Sequence, residues 1–183
     1  MILGIRSSLF SASKVLLLVI ACGVVCSCGF GGRKQPRRYA VASEVVDGNR
    51  AVLRGGKVIA PKKAPVEVKR AIAAANRIAG KPYKWGGGHA RLNDSGYDCS
   101  GAASYVLRNA GLLEDQMPSR GFLRYGKRGH GKWITVYARR GHVYMTIAGL
   151  RFDTQGQGRE DGPKWRRDPR RQKRHVARHP KGL

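Results

Sequence analysis

Acidic side chains are in short supply: 36 Lys and Arg stand against 11 Asp and Glu, a formal net charge of +25. That imbalance exceeds what solubility requires and points to an anionic partner surface. Cysteine is sparse as well. Three of the four, Cys22, Cys26 and Cys28, crowd the end of one apolar stretch, and only Cys99 lies beyond it. A disulfide framework needs cysteines distributed through the fold, so this layout excludes one. No group of cysteine, histidine and carboxylate residues has metal-ligand spacing; His175 and His179 sit among cations, and neither a metal nor another cofactor is expected. Basic residues surround Trp165, but no RNA- or DNA-binding motif accompanies them, and nucleic acid is not an expected partner. The apolar run Val15 to Val25 falls short of the ~20 residues that a spanning helix needs.

That short run is nevertheless informative. Arg6 and Lys14 precede it without an acid, as in the basic start of a secretory signal, so residues 1–28 are expected to direct export. Val25-Cys26-Ser27-Cys28 resembles a lipobox, which makes Cys28 the first choice for lipidation and Cys22 the second. Gly29 to Arg38 reads as a flexible basic tether. Further on, Val45-Val46 and Ala51-Val52-Leu53 flank Asp47-Gly48, which predicts a hairpin turning there; residues 29–65 as a whole are tether plus accessory hairpin. Residues 66–79 place Val68, Ile72, Ala75 and Ala79 on one face and Glu67, Lys69, Arg70 and Asn76 elsewhere, the pattern of an amphipathic helix.

The chain's chemistry centres on Gly96-Tyr97-Asp98-Cys99-Ser100-Gly101. Ala102, Ala103, Val106, Leu107 and Ala110 recur at helical spacing and Gly111 follows as a cap, so a helix starts at or just before Cys99. The backbone N–H groups and dipole at a helix N-terminus favour a thiolate, and the same N–H groups can hold a developing oxyanion. A nucleophilic thiol needs a base. His142 stands at the start of a predicted strand, where it is more rigidly held than His89 in the loop before Cys99 or His130 between glycines. Residues 132–137, 142–148 and 150–154 alternate as antiparallel strands, with a tight turn at Ala148-Gly149. That turn pairs His142 with Gln155, sets Asp153 diagonally on the same face and sends Thr154 to the other. Asp153 or Gln155 is therefore the residue expected to orient the imidazole.

Three segments together, Lys81-Pro82-Tyr83-x-Trp85-Gly86-Gly87, Asp98-Cys99-Ser100-Gly101 and Gly141-His142-Val143, resemble the NlpC-like cell-wall cysteine peptidases. The resemblance spans residues 66–156 and implies an α+β, papain-like fold with helices packed on a small antiparallel sheet. Residues 157–183 are then a basic C-terminal extension, with ten Lys or Arg against three acids, that Trp165 docks on the domain. The implied activity is cleavage of amide bonds in peptidoglycan stem peptides. Alignment through the turn glycine falls on Asp153 as third residue, although the family more often has histidine there. Tyr83, Asp98 and Ser100 are implied in substrate binding. The same motif fits an amidase cutting between glycan and stem, or an inactive basic wall-binding lipoprotein. Partners beyond the stems would be anionic envelope polymers or the membrane surface.

Overall fold

The computed structural model describes residues 45–156, 160–170 and 174–183. The expected signal, both candidate lipidation cysteines Cys22 and Cys28, and the basic tether lie outside the described residues.

Two short strands, β1 (Val45–Val46) and β2 (Val52–Arg54), flank β3 (Lys57–Pro61) in a small three-stranded sheet. The hairpin predicted at Asp47-Gly48 does not form there. β1 runs parallel to β3, and the hairpin joins β2 to β3 through Gly55-Gly56, with Arg54 opposite Lys57. Both glycines have positive φ, +53° and +79°. A two-residue hairpin of that twist requires positive φ at both positions, which two glycines supply without a Cβ clash.

Helix α1 (Val66–Ile78) follows Pro65 and buries Val68, Ala71, Ile72, Ala74, Ala75 and Ile78, while Ala79 ends it half-buried. Asn76 is no surface residue in effect. Its amide receives the Val58 N–H and donates to the Val58 carbonyl, both at 2.8 Å, and its Oδ1 also accepts from Trp165 Nε1 at 2.8 Å. One side chain thus ties β3, α1 and the C-terminal half together. Helix α2 (Cys99–Ala110) packs on α1 through faces rich in alanine, which lets the two backbones come close. It ends at Gly111 in the left-handed conformation, φ +79°, where the Leu112 N–H closes on the Leu107 carbonyl at 2.8 Å.

The second sheet has six strands in the order β4-β9-β5-β6-β7-β8, all neighbours antiparallel. Its members are β4 (Lys127–Arg128), β5 (Ile134–Arg139), β6 (His142–Ile147), β7 (Leu150–Gln155), β8 (Glu160–Arg166) and β9 (Val176–His179). A short 3₁₀ turn, Gly121–Arg124, packs on β5 and β9. The β6–β7 turn forms at Ala148-Gly149 with Ile147 opposite Leu150, the register that the sequence predicts. Ala148 itself sits at φ +48°, held by its N–H to the Trp133 carbonyl at 2.8 Å and by the Ala51 N–H on its own carbonyl at 2.9 Å. Residues beyond 156 correct the expectation of an extension: β8 pairs with β7, and β9 lies between β4 and β5 inside the sheet. Trp165 does dock. Its ring packs 4.9 Å from Phe152, and both are buried.

Candidate active site

Asp98 builds the approach to Cys99. In extended conformation ahead of α2, it accepts the Gly101 N–H on Oδ1 at 2.7 Å, a helix cap. Its other oxygen receives the Gly86 N–H at 3.1 Å, and its own N–H donates to the Gly87 carbonyl at 3.3 Å. The glycine loop is therefore laid directly on the first turn of the helix. A Cβ on Gly101 would lie 1.9 Å from the Gly87 oxygen, so this contact needs glycine. Cys99, 8% exposed, occupies the first helical position.

The stretch between the glycines and Asp98 is organised by Asp94, which pairs with Lys84 at 2.8 Å and accepts the Gly88 N–H at 3.2 Å. Those bonds, with the Ser95 N–H, hold its carboxyl well below the ordinary range. His89 turns inward here. Its Nε2 lies 3.1 Å from both Asp98 Oδ1 and Ser100 Oγ, and Ser100 Oγ donates to Asp98 Oδ1 at 3.0 Å. Asp98 and Ser100, implied in substrate binding, are thus buried and bonded to one another and to His89. Tyr83 is half-buried and bridges to Tyr97, whereas Trp85 stands 87% exposed on the same loop.

On the sheet, the Arg140-Gly141 turn brings Arg139 opposite His142, which begins β6. His142 is 1% exposed, and its Nε2 lies 3.0 Å from Asp153 Oδ1. Of the two residues left open by the sequence, Asp153 is the one bonded to the imidazole. Gln155 instead donates its N–H to Asp153 Oδ1 at 3.0 Å and accepts from Arg170.

Asp153 is 1% exposed and heavily satisfied. Its second oxygen receives Arg151 Nη1 at 3.2 Å and Arg170 Nη1 at 3.0 Å. Burial pushes this carboxyl up, but the His142 bond and charge, the Gln155 N–H and the Arg170 charge outweigh it, so it stays ionised below the ordinary range. Arg170 also stacks over the Tyr144 ring, 5.6 Å from its centre, and His175 packs edge-on against both His142 and Tyr144. Burial, with Tyr137 beside it, raises the Tyr144 phenol to about 12, so it is neutral at physiological pH. None of Arg151, Arg170 or His175 was singled out for the site from the sequence: Arg170 and His175 merge into a run of cations, and Arg151 stands alone on a strand.

A cavity of about 10 Å³ lies between α2 and the sheet, lined by Cys99, Ala102 and Ala103 on one side and by Val143, Tyr144, Asp153 and Thr154 among the strand residues on the other. Strand alternation sends His142 and Asp153 to one face and Val143 and Thr154 to the other, and the cavity draws on both. Thr154, 1% exposed, has no hydrogen-bond partner for its hydroxyl among the described residues. The structure thus sets Cys99 and Asp153 on the walls of one cavity and joins His142 to Asp153. Among the described residues, no group of three His, Cys, Asp or Glu could hold a metal ion.

No protein-family model matches the chain. No curated protein matches it either. Among solved structures, it is similar to the crystal structure of an NlpC/P60 family protein from Bacillus cereus ATCC 10987, at 19% identity and a TM-score of 0.47. The match covers 61% of this chain and 39% of that one, so the chain spans well under half of that protein's length.

Proposed function

We propose that this protein is a cysteine hydrolase that cleaves amide bonds in peptidoglycan stem peptides. The observation that carries the reading is the 3.0 Å contact between buried His142 and buried Asp153 on strands that wall the Cys99 cavity. A buried histidine held by an ionised carboxylate is fixed in ring orientation and, through the Nε2–H···Oδ1 bond, in tautomer. Nδ1 then carries the lone pair that takes the thiol proton. Cys99 Sγ attacks the amide carbonyl, the sulfur–carbon bond forms, and the carbonyl electrons move to an oxyanion facing the N–H of Cys99 and a neighbouring donor. Imidazolium returns its proton to the leaving amine, and water releases the acyl group.

The substrate class follows from the motifs that resemble the cell-wall peptidases. Export through residues 1–28 and anchoring at Cys28 or Cys22 would place the enzyme beside that substrate. Digestion of defined muropeptides by the wild-type chain and by Cys99→Ala, with products weighed, tests the reading. Stem fragments from the wild type and none from the variant are expected. Identical product profiles would defeat it, and unsubstituted glycan would indicate the amidase instead.

A further inference from the structure

Cys99 has a buried polar neighbour on each side, and one side chain from outside the helix bonds to both. Asp98 and Ser100 flank the thiol at the start of α2, 9% and 6% exposed. His89, from the loop that precedes them, sets its Nε2 3.1 Å from Asp98 Oδ1 and 3.1 Å from Ser100 Oγ. Asp98 Oδ1 also receives the Gly101 N–H at 2.7 Å and the Ser100 hydroxyl at 3.0 Å. An oxygen that serves those two donors as an acceptor takes its third hydrogen from the imidazole. Nε2 therefore carries the proton and donates it to Asp98, sharing it with Ser100 Oγ.

Both contacts fall on the same ring nitrogen. A proton relay uses the two nitrogens separately, one toward the group to be deprotonated and one toward the carboxylate, so His89 does not make a second triad with Ser100. What it can do is geometric and electrostatic. Asp98 is a carboxylate one residue from the thiol, and a negative charge there opposes ionisation of Cys99. Among the described residues, Asp98 makes its ion pair with His89. The Nε2–H bond draws that charge toward the loop, and tying Asp98 to Ser100 fixes the turn whose N–H groups stabilise a thiolate. The other charged groups of this loop are engaged elsewhere or face water: Asp94 pairs with Lys84 and accepts the Gly88 N–H, and Arg91 is exposed.

We propose that His89 is a positioning residue for the nucleophile: acting through Asp98 and Ser100, it holds the first turn of α2 and offsets the Asp98 charge, so that Cys99 is kept as a reactive thiolate. The proposal rests on the reading of Cys99 as the attacking group of the hydrolase. It leaves the proton transfer itself to His142.

The test follows alkylation of the full chain by iodoacetamide as a function of pH. It is read by mass on the peptide that carries Cys99, which separates this thiol from Cys22, Cys26 and Cys28. His89→Leu fills the space without a donor; it should slow alkylation at neutral pH by about tenfold and move the midpoint of the pH profile upward. His89→Gln, whose amide nitrogen reaches where Nε2 lies, should recover most of the rate. Asp98→Asn keeps a capping side chain and removes the charge, so on that background His89→Leu should have little further effect. An equal loss on both backgrounds, or a His89→Leu profile that matches the wild type, would overturn the proposal. Should His89→Leu not fold, His89→Asn replaces it, because the shorter amide stops at the Nδ1 position; His89→Gln and His89→Asn reacting alike would then overturn it. A native Cys99 that resists alkylation in every chain would overturn it too. Muropeptide digestion by the same preparations keeps the two readings apart. Cleavage by the wild type, with an unchanged profile in His89→Leu, defeats the positioning role alone. Slowed alkylation in His89→Leu, with no cleavage by the wild type, supports that role and defeats the hydrolase reading alone.

Discussion

At the residue scale, Asp153 decides most about the candidate site. Its carboxylate serves His142, Arg151, Arg170 and the Gln155 N–H at once, so its charge orders the candidate site and stabilises the fold together. Removing one member of a buried charge cluster strands the others, and Asp153→Asn should cost about 3 kcal/mol of stability, read by urea unfolding at neutral pH. The pH dependence has a definite sign. Because the folded carboxyl titrates below the unfolded one, its contribution is complete above about pH 4, the ordinary aspartate range, and is lost as pH falls toward the lower folded value. The stability gap between wild type and Asp153→Asn should therefore close on acidification. A gap that stayed constant would show that the ionised carboxylate is not what stabilises the cluster. That His142 needs a partner on the neighbouring strand was legible from turn length and strand alternation. That two arginines would secure that partner was not, because Arg170 lies 17 residues beyond Asp153 and meets it only in the folded chain.

At the scale of elements, helix α2 was the most legible piece. Helical apolar spacing and a terminal glycine marked it, and it runs from Cys99 to Ala110 as those signals indicate, with Asp98 added by the structure as its cap. What the local pattern could not convey is that Gly101 serves the glycine loop. Inside a helix a glycine normally weakens it, so Gly101→Ala would by propensity be stabilising by up to about 1 kcal/mol. The Gly87 oxygen 1.9 Å from the added methyl reverses that sign. Forcing the loop away should cost about 1–3 kcal/mol and displace the segment that seats Cys99, measurable as a lower unfolding temperature with loss of any thiol-dependent activity. An unchanged or raised unfolding temperature would refute the contact. The β2–β3 hairpin teaches the complementary lesson. Asp47-Gly48 and Gly55-Gly56 are both plausible turns locally, and the second prevails because it lets β3 run on to Pro61 and pair with β1 as well.

For the whole molecule, the last 27 residues matter more than their composition suggests. Dense positive charge reads as a solvated tail, yet β8 and β9 complete the sheet, and Arg170 reaches the candidate site from the segment between them. A chain ending at Gly156 should therefore be insoluble or unfolded, having lost the partner strands of β5 and β7, rather than behave as an intact domain without an appendage. Circular dichroism and size-exclusion chromatography of that truncation check this; a soluble, native-like product would contradict it. By itself, the sequence determined the two helices, the β5–β6–β7 meander with its turns, the pairing of His142 with a residue at 153 or 155, and the excess of positive charge. These are short-range properties, set by periodicity, turn chemistry and counting. Only the tertiary structure decided that Asp153 is the partner and that β9 inserts between β4 and β5. Such outcomes depend on contacts between residues far apart in the chain, where basic side chains look alike until packing assigns some, such as Arg170, to a buried carboxylate and leaves others, such as Lys127, exposed.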